Sequence, residues 1–418
     1  MAAASLIIGL SLKKNNVTEA ETGPGEIILY LSSRGGELFG KDLIENFIFE
    51  YEEKNPGIRI YPANAVSDAQ NQKEPDIYFF DEGELPFFIA GNYLAELNSF
   101  TNYESGARQP AIPLVSFMDL FFYNIDILTE AGYASPPKTR DEILACARSV
   151  SRGNTGASGL AFSLSLDDRH ALSRDIFSWM WASGNNFWSE DGKPSINNRP
   201  IINDFTFLGT LYREGLLSPG IFNTTGEQRI EQFIQGKTAM MIASAKAIPY
   251  LREKMGDEKF GITTIPAPVT DGRYGINISA IYTGMSSNSA YPQEAGDFLV
   301  FLAGKSSLLC EELKAIPGIA ANIIPGDYEN DEPFYIIPGD YINNDPFYSK
   351  AWGIYEFDST YVVDSFSEKP RAVEYYDAFL DELEIFFDSG RTSQQTVTAI
   401  QQRWEKIYEN ESAGTPGR

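Results

Sequence analysis

The chain carries 58 Asp and Glu residues but a single histidine, His170. Glycoside hydrolysis needs only two suitably placed carboxylates, so the acidic residues leave a carbohydrate-active enzyme open. One histidine rules out a multi-histidine zinc site and leaves one candidate imidazole base. His170 stands in Asp167-Asp168-Arg169-His170, a polar run that reads as a surface loop or helix cap. Gly236-Lys237-Thr238 looks like the end of a phosphate-binding loop, but the first glycine of that motif would fall on Glu231. Asp327, Asn330 and Asp331 lack the alternating spacing and distal glutamate of a calcium loop and read as solvated turn residues. No metal or cofactor is expected.

Aromatic residues make up 13% of the chain. Sugars present apolar C–H faces beside hydroxyls. Flat rings cover the first, and carboxylates or amides bond the second. A cleft of Trp, Tyr, Asp, Asn and Arg would suit a saccharide, though composition leaves open which rings line it. The net charge of −25 argues against nucleic acid and against an anionic membrane surface.

The elements that must position such groups follow from length and periodicity. A chain of 418 residues is too long for one core, so two lobes are expected. Glu26–Leu31, Ile58–Tyr61 and Pro75–Phe80 read as strands. Between the first two, Leu43, Ile44, Phe47, Ile48 and Tyr51 recur at helical spacing, and Asn55-Pro56-Gly57 stops the helix. This order is a parallel α/β unit, whose ligands bind in the loops at the carboxyl ends of the strands. Cys146 and Cys310 each sit in an apolar helical pattern and read as buried thiols rather than a disulfide. No segment is long enough to span a bilayer. Ala2–Leu12 is apolar but short, and it lacks the basic start of a signal peptide.

Phe122–Ala147 is the most telling stretch. It reads as a strand end, a short helix, a Pro-Pro turn and a helix opened by a Thr139/Glu142 capping box. Its Tyr-Asn, Ala-Gly and Pro-Pro-x-Thr-x-x-Glu pattern resembles the extracellular solute-binding proteins of bacterial ABC importers, in the sugar-binding family that includes maltose-binding protein. Pro75-Asp76-Ile77 with Glu96-Leu97, Trp181–Phe187, Phe233–Met240, Ile265–Pro268 and Pro292–Gly304 resemble further segments of that family in the same order. The resemblance spans about residues 26–320.

The resemblance implies a two-lobed α/β fold of the type II periplasmic-binding-protein class. Each lobe would be a mixed, mainly parallel sheet flanked by helices, with the ligand cleft between them. Lobe one would comprise residues 25–111 and 267–320, and lobe two residues 112–266 and 321–411. Crossings would fall near Ile112-Pro113, Pro266-Ala267-Pro268 and Pro317-Gly318. Residues 1–24 and the polar tail 412–418 are expected to be disordered. The implied function is capture of a small solute, a saccharide first, and its delivery to a membrane permease by a monomeric exported protein. Members are often lipoproteins; no cysteine for such an anchor stands near this N-terminus. Candidate ligand contacts are Ser33, Arg34, Asp81, Glu82, Asp119, Trp181, Asn185, Lys246, Asn277, Ser279, Trp352 and Tyr355. Ser244-Ala245-Lys246 replaces the Gly-Ser-Trp-like segment of the family. Loss of that ring weighs against a typical oligosaccharide, and Lys246 would favour an acidic or small, highly hydroxylated solute. A surface interaction protein that has lost solute binding is the alternative from another class. Ile323–Tyr335 is repeated as Ile336–Tyr348 with ten of thirteen positions identical, which reads as a duplicated surface loop.

Overall fold

The computed structural model describes residues 26–63, 74–97, 110–153, 156–165, 171–189, 191–269, 274–317, 345–354, 359–362, 369 and 371–414. His170, residues 327–331, Tyr355 and the duplicated segment as far as Asn344 lie outside them. The first part comprises β1 (Ile27–Leu31), α1 (Arg34–Phe39), α2 (Lys41–Lys54), β2 (Ile58–Pro62), β3 (Ile77–Asp81) and α3 (Leu85–Ala90). Strand β4 (Ile112–Asn124) leads to α4 (Ile125–Glu130), α5 (Arg140–Arg152), β5 (Ser158–Ala161), α6 (Ser178–Ala182), α7 (Arg199–Arg213) and α8 (Gly226–Ile234). Next come β6 (Thr238–Ser244), α9 (Ile248–Met255) and β7 (Phe260–Thr263). The chain returns through β8 (Tyr274–Ile276), β9 (Ile278–Met285), α10 (Pro292–Ala303), α11 (Ser306–Leu313) and β10 (Ile316–Pro317). It ends in α12 (Pro346–Gly353), β11 (Ser359–Val362), α13 (Ala372–Ser389) and α14 (Ser393–Gly414), so the last helix extends into the tail expected to be disordered.

The local signals act as read. Asn124 caps α4 by accepting from Ile127 N–H at 3.1 Å, and Thr139 caps α5 by accepting from Glu142 N–H at 3.3 Å. The reciprocal half of the capping box is displaced by one residue: the Glu142 carboxylate takes Lys138 N–H at 2.7 Å.

Strands run in the order β2-β1-β3-β9-β4-β6-β5, with β7 and β10 also on β4; β8 and β11 form a separate pair. The β1–β2, β1–β3 and β5–β6 ladders are parallel. The five ladders made by β4 or β9 are antiparallel among the described residues, so the sheet is mixed but not mainly parallel. The reason is topological: β4 and β9 carry the chain out and back and must run against their neighbours.

Strand β4 changes partners part-way. Ile112–Met118 pair with β9, while Asp119–Asn124 pair with β6 and β7. The handover thus lies between Met118 and Asp119, later than Ile112-Pro113. Pro113 fits inside the strand because the register is irregular there, between Pro113 and Val115. Alternation then sorts side chains between cores. Met118, Leu120 and Phe122 join one cluster with Ile248 and Phe260. Phe121 points into another with Ile143, Trp179, Phe205, Phe379 and Trp404. Ile112, Leu114 and Phe117 belong to the core of the first sheet with Phe47, Tyr51, Phe298 and Leu299. The cysteines fall in different cores, Cys146 in the second and Cys310 in the first, so no disulfide joins them. Burial pushes the Cys146 thiol up to about 12.

Helix α5 approaches β5 closely because Gly159 lacks a side chain. A Cβ there would meet Ala147 Cβ at 2.3 Å and its Cα at 2.7 Å. Gly159→Ala is therefore expected to destabilise the protein by about 1–3 kcal/mol through overpacking. Urea denaturation would read this, and Ala147→Gly in the same background should restore part of the loss.

Candidate functional site

Strands β1 and β3 are parallel neighbours in staggered register, with Leu31 at the carboxyl end of β1 opposite Ile77 at the start of β3, so the segment after β1 runs alongside β3. Arg34 opens α1 just beyond β1, and Asp81 closes β3. Arg34 Nη2 donates to Asp81 and to Glu84, both at 3.2 Å; Nε donates to Glu84 at 3.3 Å and Nη1 to Glu37 at 2.9 Å. These bonds, Glu37 first, hold the guanidinium pKa above its ordinary value against partial burial. Asp81 also accepts from the N–H groups of Gly83 and Glu84 at 3.0 and 3.2 Å. Next to this cluster Glu82, only 5% exposed, accepts from the Tyr282 hydroxyl at 2.7 Å. The β3–β9 ladder sets Tyr282 opposite Phe80, and the two rings stack with centres 5.8 Å apart.

The handover point of β4 carries its own polar lock. Buried Asp119 accepts from Asn277 Nδ2 at 2.6 Å, and its N–H donates to the Asn277 carbonyl at 3.0 Å. The Ser279 hydroxyl donates to the Phe117 carbonyl at 3.3 Å. Asp119 also pairs with Ser244 at the end of β6, and the Ser244 hydroxyl accepts from Lys246 N–H at 3.3 Å. Lys246 Nζ then sits 5.8 Å from the centre of the Phe117 ring. Its pKa is lowered, first by partial desolvation. Asp81 opposes the fall and Arg34 adds to it. Lys246 is thus within electrostatic reach of the cluster on the first sheet, although it follows a strand of the second. The residue keeps accessible surface, yet its ammonium is crowded. Among the described residues no hydrogen bond or ion pair engages that ammonium.

Residues 37–307 match the sequence profile of the family described as bacterial extracellular solute-binding protein. The chain belongs to that family. A binding protein of Brucella abortus (strain 2308) is 27% identical over 332 residues, covering 72% of this chain and 77% of that one. Among solved structures, the GacH receptor of Streptomyces glaucescens, described in unliganded form and with acarbose, matches with a TM-score of 0.65. It is 16% identical, over 92% of this chain and 98% of its own. UgpB from Mycobacterium tuberculosis in complex with glycerophosphocholine matches with a TM-score of 0.67. It is 16% identical, over 93% and 100%. The fold is the two-lobed α/β architecture of these proteins.

In this solute-binding chain the expected contact residues divide into groups. Arg34, Asp81, Glu82, Asp119, Lys246, Asn277 and Ser279 gather where the strands of the two sheets end or change partners. Ser33 is exposed just ahead of α1. Trp181 and Asn185 are elsewhere. Trp181 is 2% exposed and packs on Phe177 and Phe187, while Asn185 Nδ2 donates to buried Asp204 at 3.1 Å. Their helix end faces the core filled by α13 and α14, which a short motif could not reveal. Trp352 lies on α12, and Tyr355 lies outside the described residues. Sequence reasoning missed Glu37, Glu84, Phe117 and Tyr282. Glu84 could have been found from its place three residues past Asp81 in a strand-end turn. Tyr282 needed the β3–β9 register.

Tyr282→Phe removes the hydroxyl from a nearly buried carboxylate. It is expected to lower stability by about 1.5–3 kcal/mol, the range for a hydrogen bond to a charged group. Glu82→Gln in the same background should recover part of that loss in denaturant titrations.

Proposed function

We propose that the chain is the solute-capture component of an ABC importer, that it binds a carbohydrate between its lobes, and that the closed form is what a membrane permease recognises. Family membership supports the solute-binding role. Of the solutes named for the structural relatives, acarbose is rich in hydroxyls and supports a polyhydroxylated ligand here, while glycerophosphocholine is a zwitterionic phosphodiester with two hydroxyls. The observation that carries the reading is the position of Lys246. It follows β6 of one sheet, its ammonium lies 5.8 Å from the centre of the Phe117 ring and within electrostatic reach of Asp81 and Arg34, and it has donors to offer. A solute that bonds Lys246 and touches the first sheet contacts both lobes only when they are closed, so binding shifts the population toward closure. No chemical step is required, and we do not assign an enzyme activity.

We place the lobe boundary in β4 between Met118 and Asp119, with the return at Asn277. Solute contacts are assigned first to Lys246, Ser33 and the strand-end groups around Arg34 and Asp81. Export is the setting that suits an extracellular family, and no described helix is long and apolar enough to cross a membrane. A second reading, a surface protein that has lost solute binding, draws on the fact that Arg34, Asp81 and Glu84 already engage one another.

A thermal-shift screen against mono-, di- and oligosaccharides, sugar acids and polyols tests the proposal. A ligand of the folded state at one hundred times its Kd stabilises by about 2.7 kcal/mol. Lys246→Ala should weaken the solute that emerges by roughly tenfold, about 1.4 kcal/mol, without lowering the melting temperature of the free protein. Affinity should also fall as pH rises through the lowered pKa of Lys246, because deprotonation removes the charge, and Lys246→Ala should abolish that dependence. A flat response across the panel from demonstrably folded protein would favour the second reading.

A further inference from the structure

The charges that gather at the strand ends do not balance. Arg34 lies among Glu37, Asp81 and Glu84, whose side chains are 62%, 44% and 39% exposed. Nε, Nη1 and Nη2 of its guanidinium each already donate to a carboxylate. Glu84 Oε2 also takes the Asp81 N–H at 3.1 Å. Among the described residues Oε1 of Glu37 and Oε1 of Glu84 accept no hydrogen bond. Lys246 supplies the second cation, and register fixes its place. Asp81 pairs with Ile281, and Phe117 pairs with Ser279 two residues away on β9, so all four side chains project from one face of the sheet. The Lys246 ammonium lies over the Phe117 ring and therefore on the face from which Asp81 projects. Two cations thus stand against three accessible carboxylates, and buried Glu82 and Asp119 add two more behind them.

On the reading that a solute binds between the two sheets, we propose that this site selects a polyhydroxylated solute bearing a protonated amine and rejects sugar acids. Lys246 is the one cation an acid could use. Arg34 donates from all three nitrogens already, and turning them to a ligand would strip Glu37 and Glu84 of their cation. An anionic group on Lys246 would also face the carboxylate excess, and like charges brought together across a closing interface cost affinity. A hydroxyl or ring oxygen accepts from Lys246 without that penalty. An ammonium fits the other side: it has three donors and no acceptor, and the unengaged Oε1 atoms can receive it. Of the two classes that a lysine at this position leaves open, the acidic and the highly hydroxylated, the carboxylate excess favours the second.

The test compares solutes that differ at a single carbon. D-Glucose, 6-amino-6-deoxy-D-glucose and D-glucuronate, with the matching D-galacto and D-manno series, are titrated into the full chain by calorimetry. Mildly acidic pH keeps the amines protonated and the uronates ionised. The amine is expected to bind roughly tenfold tighter than the uronate, with the neutral sugar between them. That ratio should shrink in about 1 M NaCl, where the Debye length falls to about 3 Å. It should shrink again in the double variant Glu37→Gln/Glu84→Gln, whose melting temperature reports that it folds. Three results overturn the proposal while leaving solute capture standing: a uronate that binds as well as its neutral sugar, an amine that gains nothing over it, or a ratio indifferent to both salt and the double variant. Binding by no member of any series removes the capture of such sugars, and the proposal with it.

Discussion

Everything in this molecule hangs on one strand. Strand β4 is thirteen residues long, almost wholly buried, and hydrogen-bonded to one sheet over its first half and to another over its second. Buried backbone groups must be paired, so neither half can leave its ladder without a penalty. A one-residue slip would also turn Met118, Leu120 and Phe122 out of one core and Phe121 out of the other. Rigid pairing on both sides concentrates any relative rotation of the lobes at the change of partner. Asp119 and Asn277 hold each other there, on the outgoing and returning strands. The joint between the two ladders is therefore a short polar contact between two stiff arms, which suits the proposed lobe boundary there.

The same topology explains where charge collects. The loops beyond the carboxyl ends of parallel strands are the places in an α/β unit where side chains are not committed to packing. In a chain of net charge −25 those loops are acidic, and a single arginine between three carboxylates keeps the turn after β3 in shape. Half-exposed pairs of this kind contribute little stability one by one. What they do is fix geometry: Asp81 and Glu84 are held by Arg34 and by backbone N–H groups, so they are oriented before any solute arrives. Lys246 is different. It has charge and accessible surface, and among the described residues no hydrogen bond or ion pair engages its ammonium.

Much of this was legible in the sequence, for identifiable reasons. The apolar repeat from Leu43 to Tyr51 gave α2, and the cap at Thr139 gave α5, because those signals act over three or four residues; the Asn124 cap of α4 emerged only in the structure. Pro292 and Gly304 bracketed α10 for the same reason. The strand-end loops holding Arg34, Asp81 and Glu82 followed from the parallel unit. What could not be read depended on register between distant segments. The Glu82–Tyr282 bond joins residues 200 apart, and the handover at Met118 and Asp119 exists only once β6 and β9 are both in place. The direction of the sheet was misjudged for the same reason, since β4 and β9 impose antiparallel ladders that no local pattern announces. Trp181 was misjudged because a ring at a helix end is equally at home in a cleft or a core, and here α13 and α14 decide for the core.

The fate of the rings bears on how a solute would be recognised. Trp179, Trp181 and Trp404 are buried, and Trp188 stacks on Trp404 with centres 5.6 Å apart. Those four tryptophans fill or pack against one core instead of offering a sugar platform. Lysine stands where the family commonly places an aromatic residue. With Lys246 as a proposed contact, recognition there would rest on hydrogen bonds more than on ring faces. The two differ in consequence. An apolar surface tolerates an added or missing hydroxyl, whereas a donor desolvated on closure penalises a solute that fails to accept from it. The same donor helps set the direction of the conformational equilibrium. On the proposed role, water would serve the ammonium in the open form and the solute would replace it in the closed form. A solute without an acceptor opposite Lys246 would have little differential affinity for the closed state and so would shift no population toward it.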